Sequence, residues 1–255
     1  MRLAVPLFFA LLLGGTFLST TYLGNEGGEE LPAQKWSFNG PFGTIDKASA
    51  QRGFQVYKEV CSACHSMNLL SYRDLGGIGF KPDEVKAIAA SVTVPDIGDD
   101  GQPIERPALP SDHFRAPYAN VKAAQAANNG AVPPDQSVIE KAREGHADYI
   151  KSLVSTGYSE PPAGLKVGDG LYYNKWFPGG QIAMPPPLHE GQVAYADGTP
   201  ASIDQMSTDV TTFLTYAANP EMEQRKRLGV KAVVFLTLLT GVTYAVKRRV
   251  WADVH

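Results

Sequence analysis

The chain has 255 residues, enough for one good-sized domain with attachments. Apolar residues make up 44%, as in a globular protein, while 25 glycines and 19 prolines point to many loops and turns. The formal charge of −3 hides an asymmetry: residues 3–224 hold 15 basic and 25 acidic side chains, a net −10, which suits a basic protein partner and argues against nucleic acid.

In chain order, Arg2 precedes an apolar run over 3–18 that continues to Leu23. This is the layout of a secretory signal, but an A-x-A cleavage site is missing and Ser19-Thr20-Thr21 is a weak substitute. Residues 1–24 therefore read as a signal peptide or a retained signal anchor. Either way the middle of the chain is exported. Residues 25–45, rich in Gly, Glu and Pro, read as a surface linker. Asp46 is a candidate N-cap for a helix running to about Val60, with Phe54, Tyr57 and Val60 or Cys61 on one face.

That helix ends at Cys61-Ser62-Ala63-Cys64-His65, which matches C-x-x-C-H, the attachment signature of a c-type haem. Two thiols at this spacing can add to the two vinyl groups of a haem, and the histidine can bind the iron. A zinc site would need two more Cys or His ligands. There are no other cysteines, and His113, His146, His189 and His255 are scattered. A thioredoxin-like redox pair would need neither His65 nor export.

Residues 81–92 predict a second helix with proline near its start, and 94–120 a loop. The span 136–155 predicts a helix with Val138, Ile139, Ala142, Ala147 and Ile150 as apolar positions, and 156–200 a further loop. Ser202 with Gln205 forms a capping-box pattern for a helix carrying Ile203, Met206, Val210, Phe213, Leu214 and Ala217, interrupted at Asn219-Pro220. Residues 228–246 are apolar apart from Lys231, Thr and Tyr. As a helix they rise about 28 Å, close to a hydrocarbon core of roughly 30 Å. Lys247, Arg248, Arg249 and Trp251 beyond them read as a cytoplasmic-side anchor, with 247–255 as the tail. Internal repeats, a glycine-rich phosphate loop and a defensible Ser/His/Asp order are all missing.

An electron-transfer haem usually has a second axial ligand, and methionine raises its potential. Met1 is terminal, Met67 is too near His65 in sequence, Met206 sits on an apolar helical stripe and Met222 adjoins the membrane. Met184 is the favoured candidate, in Gly179-Gly180-Gln181-Ile182-Ala183-Met184-Pro185-Pro186-Pro187. Glycines there allow close approach to the ring and prolines stiffen the backbone. A methionine filling a gap in the core is the alternative.

Several motifs in order then carry a family resemblance: Arg52-Gly53-Phe54-Gln55-Val56-Tyr57 before the haem motif, Ala127-Asn128-Asn129-Gly130-Ala131-Val132-Pro133-Pro134-Asp135, Tyr172-Tyr173-Asn174, Met184-Pro185-Pro186-Pro187 and Asp197-Gly198-Thr199-Pro200-Ala201. The chain resembles the cytochrome c1 family, the haem subunits of the quinol:cytochrome c reductase (bc1) complex. The resemblance runs from about Phe38 to Trp251.

The resemblance implies a mostly α, loop-rich cytochrome c-like haem domain over 46–224, followed by a C-terminal transmembrane helix. It implies one haem c held covalently by Cys61 and Cys64, with His65 and Met184 as axial ligands. Arg143 matches the family's propionate-binding arginine, which Tyr149 assists by position; from residue chemistry alone Arg143 is a solvated helix residue. The implied partners are cytochrome b, a Rieske iron–sulfur donor and a soluble or anchored cytochrome c acceptor, in a dimeric complex in a bacterial inner membrane with the haem domain in the periplasm. Candidate acids for a docking face are Asp96, Asp99, Asp100 and Glu105. The competing readings are an anchored cytochrome donating to a terminal oxidase, a haem peroxidase or gas sensor with an open iron site, and a zinc-binding structural protein.

Overall fold

The computed structural model describes residues 30–253, so the hydrophobic segment 1–24 lies outside the described residues. Helix α1 (Lys47–Glu59) starts where expected, because the Asp46 carboxylate accepts from Ser49 N at 3.1 Å and satisfies an otherwise orphaned amide. Helix α5 (Ile203–Ala218) likewise begins at Ser202, whose hydroxyl accepts from Gln205 N at 3.1 Å. The reciprocal half of the capping box is not made. Gln205 Nε2 turns instead to both carboxylate oxygens of Asp209, at 3.0 Å each.

α1 and α5 form the centre of the domain. Met206 and Phe213 are fully buried, as are Ala50 and Val56 opposite. The helices touch at Gly53, where an added Cβ would stand 1.9 Å from the Asp209 carbonyl oxygen, so only a hydrogen fits. Phe54 meets Phe213, Phe80 and Phe114 edge-on, with ring centroids 5.6, 5.7 and 6.0 Å apart. Those geometries suit the aromatic quadrupole and join α1 and α5 to the segments around residues 80 and 114.

Helix α2 (Pro82–Ala90) carries the expected proline in its first turn. The predicted loop over 94–120 needs correction. Strands β1 (Thr93–Ile97) and β2 (Pro103–Pro107) pair antiparallel, with Thr93 opposite Pro107 and Ile97 opposite Pro103. Most of both strands is exposed, so the period-two alternation that signals a strand is missing. Their prolines are tolerated because a two-stranded ribbon is all edge. A short helix, α3 (Val121–Ala127), follows, capped by Asn120.

Arg106 on β2 ties the hairpin down by donating to Asp96 and, at 2.6 Å, to Asp112. Those hydrogen bonds pull the Asp112 carboxyl from 3.8 to about 2. A depressed carboxyl stabilises the fold above its ordinary value and loses that contribution as pH falls through the folded value. The tie is therefore expected to be intact at pH 4 and to release as pH falls towards about 2. Carboxyl chemical shifts across an acid titration check this, and an Asp112 midpoint near 3.8 would refute it.

The single helix predicted over 136–155 also needs correction. Residues 137–145 form turns, and helix α4 covers only His146–Val154. Gly145 (φ +80°) and His146 (φ +48°) take left-handed backbone, so the turns before them cannot run into α4 as one continuous helix. Of the expected apolar positions, Ile139 in the turns and Ala147 and Ile150 in α4 are buried, whereas Val138 and Ala142 are exposed. The expected loop over 156–200 is irregular apart from a small ladder between β3 (Tyr172–Tyr173) and β4 (Gln181–Ile182).

Helix α6 (Met222–Val250) follows the Asn219-Pro220 break and contains the apolar run 228–246. It is long and apolar enough to cross a membrane, and none of its apolar window is buried within the domain. It continues through Lys247, Arg248 and Arg249, which are helical rather than a loose tail. Residues 38–45 are seated on its first turns. Lys226 Nζ donates to the carbonyls of Phe38 (2.6 Å) and Gly43 (3.1 Å), and Ile45 N donates to Glu223 (3.0 Å).

Candidate functional site

The two cysteines sit on one turn of 3₁₀ helix (Cys61–Ala63) that continues directly from α1. The Cys61 carbonyl accepts from Cys64 N (3.1 Å) and His65 N (2.9 Å), which curls the backbone of the motif into one tight turn. Both thiols are free, Cys61 half-buried and Cys64 exposed. Burial, reinforced by the neighbouring Cys64, pushes the Cys61 thiol up to about 12, so it is held protonated. Beside this turn lies a recess of about 300 Å³ lined by Phe54, Tyr57, Ser62, Tyr72, Phe114 and Arg115.

His65 is oriented by a carbonyl. Its Nδ1 lies 2.8 Å from Pro134 O. A carbonyl only accepts, so Nδ1 carries the proton and the Nε2 lone pair is left for a metal. Burial holds the His65 pKa below its ordinary value, which favours the neutral, ligating imidazole. Pro134 is held in turn by Asp135, whose carboxylate accepts from Ser66 Oγ and Asn68 N (both 2.8 Å) and Ser137 N (2.9 Å). This staple of 134–137 onto 65–69 was not foreseen. The Asp-x-Ser pattern after two prolines was its only local trace.

Met184 follows β4 in a bend and is half-buried. Gly179 and Gly180 have φ of +78° and +71°, so they serve the turn that enters β4. Tyr158 holds the methionine backbone, its hydroxyl lying 3.0 Å from Met184 O and 3.3 Å from Pro185 O. Sequence reasoning did not find Tyr158. Arg143 is exposed and donates to Ala142 O at 3.0 Å. Tyr149, on α4, is buried. Burial raises its pKa and the positive charge of Arg143 opposes that rise, so the two are neighbours. Burial, with a smaller contribution from Tyr149, likewise raises the Tyr158 pKa.

The predicted residues thus gather in two clusters, one of Cys61, Cys64 and His65 with Pro134, the other of Arg143 and Tyr149 with Tyr158 and Met184. The 134–145 segment joins them, running from the carbonyl at His65 to the left-handed Gly145 that starts α4. Tyr158→Phe is expected to cost about 1 kcal/mol, the net worth of a hydrogen bond, by releasing the backbone that carries Met184. Thermal unfolding checks this, and an unchanged midpoint would refute it.

The arrangement fits a covalent haem: two free thiols one turn apart, and an imidazole whose tautomer presents Nε2. Among the described residues no group of three or more His, Cys, Asp or Glu side chains is placed to hold a metal ion, so the thiols lack partners for a tetrahedral zinc site.

Fold and site define a mostly helical, loop-rich protein with a thiol–thiol–imidazole attachment turn and one helix suited to a membrane. The chain belongs to the cytochrome c1 family, whose model matches residues 36–254. It is similar to "Cytochrome c1" of Rhodospirillum rubrum, 45% identical over 246 residues that cover 90% of each chain. It is also similar to "Cytochrome c1, heme protein, mitochondrial" of Saccharomyces cerevisiae, 49% identical over 231 residues covering 90% of this chain and 74% of that one. "Cytochrome b/c1" of Bradyrhizobium diazoefficiens is 44% identical over 253 residues, 91% of this chain but 37% of that longer protein.

Proposed function

We propose that the chain is the haem-carrying, membrane-anchored subunit of a quinol:cytochrome c reductase complex, passing one electron at a time from a Rieske iron–sulfur protein to a cytochrome c. The observation that carries this reading is the attachment turn, with His65 Nδ1 fixed on Pro134. Cys61 and Cys64 would hold the haem through thioether bonds, and His65 Nε2 and the Met184 sulfur would bind its iron. Arg143 and Tyr149 would hold its propionates. When bound, the haem iron supplies a one-electron couple and no bond is made or broken in the substrate.

The chain's own residues hold the ligands, exclude water and present charge. Of the candidate docking acids, Asp96 is engaged by Arg106, and Glu105 lies 3.6 Å from Arg115. Asp99 and Asp100 sit at the exposed tip of the hairpin, where Asp100 accepts from Gln102 N at 3.0 Å, and both present charge to a basic acceptor. The domain over 46–224 faces the periplasm of a bacterium, exported by the segment 1–24. Residues 228–246 span the inner membrane beside cytochrome b, in a dimeric complex, and 247–255 lie on the cytoplasmic side. The relative named "Cytochrome b/c1" supports the association with cytochrome b, and the one named "heme protein" supports the cofactor. Co-purification from membranes is expected to recover a di-haem cytochrome b and a Rieske protein. Recovery of terminal-oxidase subunits in their place would overturn the assignment.

A further inference from the structure

At the head of α6 lies a recess of about 500 Å³, none of whose lining residues belongs to the attachment turn. Ile45, the ring of Tyr216 and Leu228 give it apolar lining, and Lys47, Arg227 and Lys231 bring it positive charge. The α6 members lie on one stripe of the helix, since Glu223, Arg227 and Lys231 are spaced four apart.

Glu223, the acid of that stripe, is already occupied. Its Oε1 accepts from Ile45 N at 3.0 Å, and its Oε2 lies 3.5 Å from Arg227. An ion pair of that length with Arg227 three-quarters exposed is weak and leaves the guanidinium free to turn. Among the described residues Lys47 and Lys231 have no ion-pair partner. The recess is therefore a basic rim around an apolar floor, with one acid that is already spoken for.

Its position says what such a recess meets. Leu228 is both part of the lining and the first residue of the apolar run, whose side chains stay exposed along α6. A ligand with an anionic head and apolar tails has its head held at the rim and its tails continuing along the helix. A free anion uses only the rim. Of the other basic residues in this turn, Lys226 is spent on the carbonyls of Phe38 and Gly43 and Arg225 donates to Asn219, so both shape the wall rather than the charge.

We propose that this recess binds the phosphate of an anionic phospholipid, with its acyl chains along α6. The proposal rests on the reading of α6 as a membrane span. Lys231, one turn inside the apolar run, reaches back to the headgroup level to share the phosphate with Arg227.

The test uses the full-length haem-loaded chain in phosphatidylcholine vesicles doped with photoreactive phosphatidylglycerol. Label is expected in the segment 222–231. It is expected to fall roughly 30-fold in the R227Q/K231Q variant, the effect of losing two headgroup contacts, and to persist in R248Q/R249Q at the other end of the helix. Equal labelling by photoreactive phosphatidylcholine, or undiminished labelling of R227Q/K231Q, overturns the proposal. Displacement of the label by millimolar inorganic phosphate reassigns the recess to a free anion. Extraction of the chain from the vesicles by carbonate overturns the spanning reading itself, whereas a chain that resists extraction without lipid preference overturns the recess alone.

Discussion

Replacing Met184 by leucine is expected to lower the haem midpoint potential by roughly 0.2–0.3 V, part of the ~0.8 V range that axial ligands span. Leucine nearly conserves the volume of methionine, so packing suffers by less than about 1.5 kcal/mol while the sulfur donor is lost. The near-red charge-transfer band should vanish with the potential. Met206→Leu is the control, because Met206 is fully buried on α5 as a core residue and should leave both observables unchanged. Met67 is buried as completely and serves the same purpose. A Met184→Leu protein with its potential and band intact would remove Met184 from the ligand set.

Arg52→Ala is expected to destabilise the domain by roughly 3–5 kcal/mol, the range seen when one member of a buried ion pair is removed. Asp209 is fully buried on α5. Arg52 grips it with two prongs, Nε at 2.9 Å and Nη2 at 3.1 Å, and reaches Asp197 with Nη1 at 2.9 Å. The Ser49 hydroxyl at 2.7 Å and Gln205 supply the remaining donors. Alanine leaves the carboxylate buried without its cation. A fall in melting temperature of roughly 6–15 °C is expected for a chain of this size. Asp209→Asn in the same background should restore part of the loss, since an amide needs no cation, and Arg52→Lys should fall between because it keeps the charge but loses the fork. A melting temperature within a degree of the parent would refute the account.

How much of this was readable beforehand follows from how local each cause is. The caps at Asp46 and Ser202 act within three residues, so both helix starts were visible. The membrane-length helix was visible because its signal is a long apolar run. The break at Gly145 was not, since glycine inside a helical pattern is ordinarily tolerated and the buried positions on either side kept helical spacing. The exposed hairpin of β1 and β2 offered no alternation to read. Gln205 was assigned to its own cap, whereas Asp209, a buried carboxylate with Arg52 upon it, claimed the amide. In the site, the motif identified the thiols and imidazole, but the carbonyl of Pro134 that selects the imidazole tautomer and the hydroxyl of Tyr158 that holds Met184 come from segments brought together only by folding.

The close contact at Gly53 bears on the order of events during synthesis. Arg52 and Asp209 are 157 positions apart, so α1 leaves the ribosome long before the helix it packs against exists. Until α5 arrives, α1 carries its apolar face unburied. The core forms only when the two backbones meet, a meeting that any side chain at position 53 would hold apart.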